Sequence, residues 1–401
     1  VEQDRLLSLA QEYLCPLIPG SWLAGSIPST RQEKLVARPD PRALAFKIDR
    51  TDRYRLILRR GEPFGPTARR IVRSFAQVLG EIEPALSTSF EPDVLRTLQK
   101  KVLALAVAGD MHDAMVSANE RLEGWAEISY EGRPVTAAVG FDPYAVGGNL
   151  MLEELGSLEF SPVLTNGVDT MVRVDAQGRV IGHECLDVPA DLPPFAPYFQ
   201  AALAAWATEG RVVLVLTERG EILVFRDRQL LFAKRSGRWH FLTHRPFLAR
   251  MPVPRSLGAR RAIYESCLDA SFTHRGACIG VVARNSAASA RDVVMPEDRV
   301  GKRGPLKSRA LERLIAGRSF AELDRRFRLE LLSIDGALVL DHRGRVLAVG
   351  AIIRIPGGST GGGRLAAARV LASLGLGIKV SQDGSIACFA GDDERPVFSL
   401  M

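Results

Sequence analysis

A glycine-rich tract, Gly357-Gly358-Ser359-Thr360-Gly361-Gly362-Gly363, runs into Arg364 and then into Leu365-Ala-Ala-Ala-Arg-Val-Leu-Ala-Ser-Leu374. No other stretch is so loaded with glycine and so cleanly followed by a helical pattern. Glycine admits positive φ and lets backbone N–H groups crowd around an anion. The small-residue run predicts a helix over 365–374, closed by Gly375 as its C-terminal cap. A helix start carries unpaired N–H donors and partial positive charge, and Arg364 adds a forked cation suited to phosphate oxygens.

The segments on either side read as strands. Ala337–Leu340 and 346–355 are apolar and β-branched, and Asp341-His342-Arg343-Gly344-Arg345 between them is a turn. This predicts a hairpin whose first strand begins at Asp335. Gly377–Val380 reads as a further strand, ending at Ser381-Gln382-Asp383-Gly384. An acidic strand residue followed by a glycine cradle is the local chemistry of a site for a metal-bound polyphosphate.

Three motifs stand in order: Asp335-Gly336-Ala337, then Gly362-Gly363-Arg364-Leu365-Ala366-Ala367-Ala368, then Val380-Ser381-Gln382-Asp383. Before them, Arg261–Val282 reads as a helix leading into an apolar strand. This set resembles the diadenylate cyclase domain, whose motifs are Asp-Gly-Ala, Gly-Thr-Arg-His-Arg-Ala-Ala and Val-Ser-Glu-Glu. The resemblance covers roughly the last 150 residues, about one domain. It implies an α/β fold, a mixed sheet flanked by helices, that binds ATP with Mg²⁺ or Mn²⁺. Asp335 would be the metal ligand near the attacking 3′-hydroxyl and, with Arg364, would carry catalysis. Gly336, Ala337, Gly361, Gly362, Gly363 and Arg364 would contact the nucleotide and its phosphates, with Ser381 and Asp383 adding phosphate or metal contacts. Each such site makes half of the chemistry. The resemblance therefore implies a homo-oligomer with facing cyclase domains that joins two ATP into cyclic di-AMP and pyrophosphate.

The chain departs from that pattern where the family's His and second Arg give way to Leu365 and Ala366, and where its first acidic residue after Val-Ser gives way to Gln382. Charge-assisted hydrogen bonds contribute about 1.5–3 kcal/mol each, so these losses leave open a second reading. It is a nucleotide-binding sensor of the same fold without turnover. A third reading is an arginine-rich nucleic-acid-binding protein.

The remaining 245 residues predict an α+β region with a possible subdivision near 150–195, cast as a sensor or assembly module. The main boundary is placed by Pro246, Pro252 and Pro254 near 245–258, with the cyclase-like domain over 246–401. Three hairpins share a strand, an Asp/Thr-x-x-Gly turn and a second strand: at Asp175–Gly178, Thr217–Gly220 and Asp341–Gly344. They read as generic hairpin grammar rather than a duplication, because their flanking segments do not match.

The net charge of +7 is a mild excess, compatible with anionic ligands without requiring nucleic acid. Five scattered cysteines without Cys-x-x-Cys spacing read as reduced thiols of a cytoplasmic protein. No apolar run approaches the ~18–20 residues of a membrane span. The N-terminus lacks the basic-then-apolar order of a signal peptide. His183-Glu184-Cys185 reads as ordinary strand, His240 and His244 as strand or loop, and Asp110, His112 and Asp113 as a solvated helix start. The basic stretch Arg299–Arg309, with Arg318, Arg325, Arg326 and Arg328, reads chiefly as a solvated helix face; covering a phosphate channel or touching nucleic acid is its alternative.

Overall fold

The computed structural model describes residues 3–28, 40–47, 54–86, 91–355 and 362–400. The chain is mixed α/β, with mixed sheets flanked by helices. It divides into two compact units. The first holds Val1–Asp191 and Gln200–Phe241; the second holds Leu192–Phe199 and Leu242–Met401. The proline-rich stretch Leu192–Phe199 packs with the second unit.

In the first unit, a three-stranded sheet (Ser21–Pro28, Tyr54–Arg60, Ala43–Lys47) and the helices Pro66–Ile82 and Glu91–Ala108 precede the main sheet. The elements around that sheet are α1 (His112–Ala126), β1 (Ala137–Phe141), β2 (Thr170–Val174), β3 (Val180–Cys185), α2 (Ala201–Trp206), β4 (Val212–Leu216), β5 (Ile222–Arg226), β6 (Gln229–Arg235) and β7 (Arg238–Phe241). The strand order is β3-β2-β1-β4-β5-β6-β7. β1 and β2 are parallel and every other pair is antiparallel.

The second unit contains α3 (Leu257–Phe272), β8 (Ala277–Val282), α4 (Arg325–Ser333), β9 (Ala337–Asp341), β10 (Val346–Ala351), α5 (Gly363–Ser373), β11 (Gly375–Val380), β12 (Ile386–Phe389) and β13 (Phe398–Leu400). Its sheet runs β10-β9-β8-β11-β12-β13, with β8 and β9 parallel and the rest antiparallel. Strand order and directions therefore repeat those of the first unit, with β7 as the first unit's addition.

The repetition reaches individual residues. Asp175 and Asp341 each accept two backbone amides of their own turn, from Gln177 and Arg179 and from Arg343 and Arg345. Gly178 O and Gly344 O then accept the amides of Leu152 and Phe320, 2.9 and 2.8 Å away. Each of those residues follows one whose amide is bound by a glutamate three positions on, Met151–Glu154 and Ser319–Glu322. The register slips at the same place in both hairpins, one residue before the turn. The Thr217–Gly220 turn has its counterpart at Ser381–Gly384, because Leu216 pairs with Ile222 as Val380 pairs with Ile386. The reading of these hairpins as generic grammar is corrected: two of them hold the same position in two copies of one fold. The flanks fail to match because the connection between the parallel strands spans 142–169 in the first copy and 283–336 in the second.

Burial follows the pleat. Cys278 and Val282 of β8 join Ala337 and Val339 of β9 and Ala368, Leu371 and Ala372 of α5 in one apolar cluster. The opposite face meets α3 and α4. Arg325 and Arg328 of α4 are only 4% and 5% exposed, which corrects their reading as a solvated face. Arg325 makes a bidentate pair with Asp269 of α3 at 2.7 and 2.8 Å and donates to the carbonyls of Pro193 and Ala196. Arg328 pairs with Glu265 at 2.9 Å. The carboxylates that hold these cations lie some sixty positions upstream in the sequence.

Candidate functional site

Helix α5 lies directly on the central strands. A Cβ at Gly377 would stand 1.7 Å from Ala368 O, and one at Gly280 would stand 2.7 Å from the Leu371 side chain. Only bare backbone at these positions lets the helix approach so closely. The helix begins at Gly363 with Gly362 as its N-cap (φ +77°), and no side chain caps it. Its first-turn amides therefore point outward without a side-chain acceptor. Gly375 does not end the helix as a left-handed cap. The C-cap is Leu374, in the right-handed region, and Gly375 (φ +153°) opens β11, where a Cβ would meet Val281 O. Gly361 and the rest of the tract from 356 lie outside the described residues.

Register brings the motif residues to one end of the sheet. Cys278 of β8 pairs with Ala337 of β9, and Ala277 pairs with Val380 of β11. Two residues before Ala337 is Asp335, two before Cys278 is Gly276, and one beyond Val380 is Ser381. These three positions sit at the ends of adjacent strands spaced ~4.8 Å apart. The Arg364 guanidinium lies over Gly276, with Nη1 2.4 Å and Cζ 2.8 Å from where a Cβ would be. Burial pushes the neighbouring Cys278 thiol up to about 12, against the pull of the Arg364 charge. Arg364 has no hydrogen-bond or ion-pair partner among the described residues.

Asp335 falls just before its strand, which starts at Ala337, so the expected start at Asp335 is two residues early. Its carboxylate is exposed and one oxygen accepts the Gly336 amide. Gly336 (φ +110°) is pressed against β10, where a Cβ would stand 2.5 Å from the Gly350 carbonyl carbon. Ala337 is buried at 1% exposure. Gly336 and Ala337 thus set the strand, while Asp335 presents the charge. The Ser381 backbone closes its turn with Ser385 and Gly384. Asp383 turns back to accept the amide and hydroxyl of Ser385, so its Oδ1 serves its own turn.

The sequence reading missed Lys307 and Asp298 as a pair. Lys307 Nζ donates to Asp298 Oδ1 at 2.6 Å and to Gly350 O at 3.1 Å, next to the Asp335 backbone. Asp298 Oδ2 accepts the Ile352 amide. The basic composition of 296–309 signalled a cation here, but not which residue turns toward the acidic motif. His183, His240, His244, His112 and the acidic residues beside them form no group of three or more ligands able to hold a metal, and no such group occurs among the described residues. All five cysteines are unbridged. No helix among the described residues is long and apolar enough to cross a membrane.

Comparison with known proteins gives little beyond this geometry. No family model matches the chain. No curated protein matches it. Among solved structures, a crystal structure of a double mutant of DacA from Staphylococcus aureus overlaps 30% of this chain and 86% of that one, at 14% identity and a TM-score of 0.22.

Proposed function

We propose that the C-terminal unit binds ATP and acts as a nucleotidyltransferase of the diadenylate cyclase kind, joining two ATP into cyclic di-AMP. What supports this is the convergence of Asp335, Ser381 and Arg364, the last without a partner among the described residues, at one end of three adjacent strands. Arg364 and the first-turn amides of α5 hold phosphate oxygens, Ser381 adds a hydroxyl, and Lys307 contributes a second cation from the Asp335 side. Asp335 keeps one carboxylate oxygen without a partner among the described residues. That suits Mg²⁺ or Mn²⁺, which takes one or two protein carboxylates and completes its shell with phosphate and water. When bound, such an ion neutralises charge on the phosphoryl oxygens. Positioning does the rest, since the attacking 3′-hydroxyl comes from a second nucleotide held by another copy of the unit.

The test is product analysis after incubation with ATP and Mn²⁺. Cyclic di-AMP and pyrophosphate are expected, and Asp335→Asn should abolish them without changing the melting temperature. Full activity in that variant would overturn the assignment. Arg364→Ala should weaken ATP binding by about 1.5–3 kcal/mol, roughly 10- to 150-fold. One observation favours the second reading, a sensor without turnover: Leu365, at the place of the family's His, is partly buried against the apolar cluster under α5. ATP that binds but never converts, at any protein concentration, selects that reading.

A further inference from the structure

At the matching end of the first copy's sheet lies a cavity whose lining includes the counterparts of Gly276 and Gly336, but not those of Asp335, Ser381 or the start of α5. It measures about 830 Å³, within the ~300–1,000 Å³ usual for ligand pockets, and its walls include Tyr130, Arg133, Thr136, Val163, Thr170 and His183. Register fixes the correspondence. Val139 pairs in parallel with Val172 as Ile279 pairs with Leu338. The antiparallel pairs Ala137–Leu216 and Ala277–Val380 match on the other side. Thr136 therefore stands where Gly276 stands, Thr170 where Gly336 stands, Asp169 where Asp335 stands, and Thr217 where Ser381 stands. Gly140 repeats Gly280, and a Cβ there would meet Met171 and Trp206 of α2.

The groups that would handle phosphate and metal are absent or engaged in this copy. The segment before α2 reads Val188-Pro-Ala-Asp-Leu-Pro-Pro-Phe-Ala-Pro197, with proline in place of glycine. Gln200, the N-cap of α2, donates its side-chain amide to Gly167 O, and the first turn is Ala201-Ala202-Leu203-Ala204. The Asp169 carboxylate accepts Asn166 Nδ2 at 2.7 Å, while Asn166 Oδ1 gathers the amides of residues 168–170. The open recess presents two flat rings, Tyr130 and His183, the latter held through Nε2 by Leu164 O, and hydroxyls at Thr136 and at Thr170, whose oxygen accepts the Asn166 amide. Flat rings favour a stacked planar group, and hydroxyls favour a polar edge.

We propose that this cavity is a second ligand site, which takes a nucleoside moiety without divalent metal. The choice of nucleoside rests on the proposed function of the C-terminal unit. The site reads the base and sugar, whether these arrive as free adenosine or as part of ATP.

Equilibrium dialysis of the full chain tests it, with adenosine and ATP as separate probes. Adenosine should bind once per chain with EDTA present, and equally well to Arg364→Ala. ATP with Mn²⁺ should occupy two sites, one of which Arg364→Ala removes. Val163→Trp, a change at a half-exposed rim residue (50% exposed), should remove the adenosine site and one ATP site, at least about tenfold in affinity. Arg133→Glu, at a second exposed rim position, should weaken the same site. Nucleoside binding unchanged in both rim variants, or no adenosine binding at all, overturns the proposal. If the rim variants remove a site and Arg364→Ala changes nothing, the proposal for this cavity stands and the C-terminal reading fails.

Discussion

Asp175 illustrates what one residue reveals in sequence and what it conceals. Its turn was legible, because Asp-x-x-Gly lets the carboxylate accept amides two and four residues on. Concealed was a third donor, the Gly147 amide 2.9 Å from Oδ2, which comes from a loop 28 positions away. Burial pushes this carboxyl upward, but the amides of Gly147, Arg179 and Gln177 outweigh it and hold the group below the ordinary aspartate value. A depressed folded-state value means stability that is fully present above the unfolded value, near 3.9, and lost as pH falls through the folded one. Asp175→Ala should lower the melting temperature at pH 7, and the gap to the parent should close below about pH 4. A gap independent of pH would show that packing alone sets the effect. Asp335 stood out for a different local reason, its place in an Asp-Gly-Ala motif that reads directly from the chain. Lys307 did not, because the carbonyl it reaches, Gly350 O, lies 43 positions away.

Helices and strands around the C-terminal site were readable from period and punctuation, yet their spacing was not. The alanine run predicted α5, and the apolar run before Val282 and the stretch Gly377–Val380 predicted β8 and β11 as strands. Nothing local says that helix and strand touch backbone to backbone at Gly377, because contact distance depends on which residues face each other. Gly377→Ala must push α5 off the sheet by the bulk of one methyl group. It should cost about 3 kcal/mol, seen as a lower urea midpoint, and should weaken ATP binding as Arg364 moves with the helix. The arginines of α4 were misread for a related reason: a charged helix face looks solvated until the opposing element supplies carboxylates. Removing one partner of the Asp269–Arg325 pair strands a buried charge. Asp269→Ala should therefore destabilise the second unit by about 3–5 kcal/mol, measurable by thermal unfolding. A loss under 1 kcal/mol would show that water reaches Arg325.

At the scale of the whole molecule, sequence failed to reveal that the chain carries one fold twice. Each copy's hairpins were visible, but β-sheet equivalence lives in pairing between distant strands, which no window of sequence contains. Once pairing is known, Asp169 answers to Asp335 and Thr217 to Ser381. The first copy lacks the glycine tract and the arginine, so under the proposed function its site would hold a base and sugar without placing a triphosphate for reaction. On the proposed cyclase reading two chains would meet for each turnover, and activity per milligram should fall on dilution through the nanomolar-to-micromolar range expected of modest association. Activity proportional to protein throughout that range would place both nucleotides in one chain.

The unequal connections between the parallel strands carry a last consequence. Lys307 and Asp298 belong to the long stretch 283–336, which has no full counterpart across 142–169. The scaffold is common property, whereas an embellishment at a single seam equips only one copy with that cation. Changes along the seam can alter the charge beside Asp335 while both sheets keep their pairing.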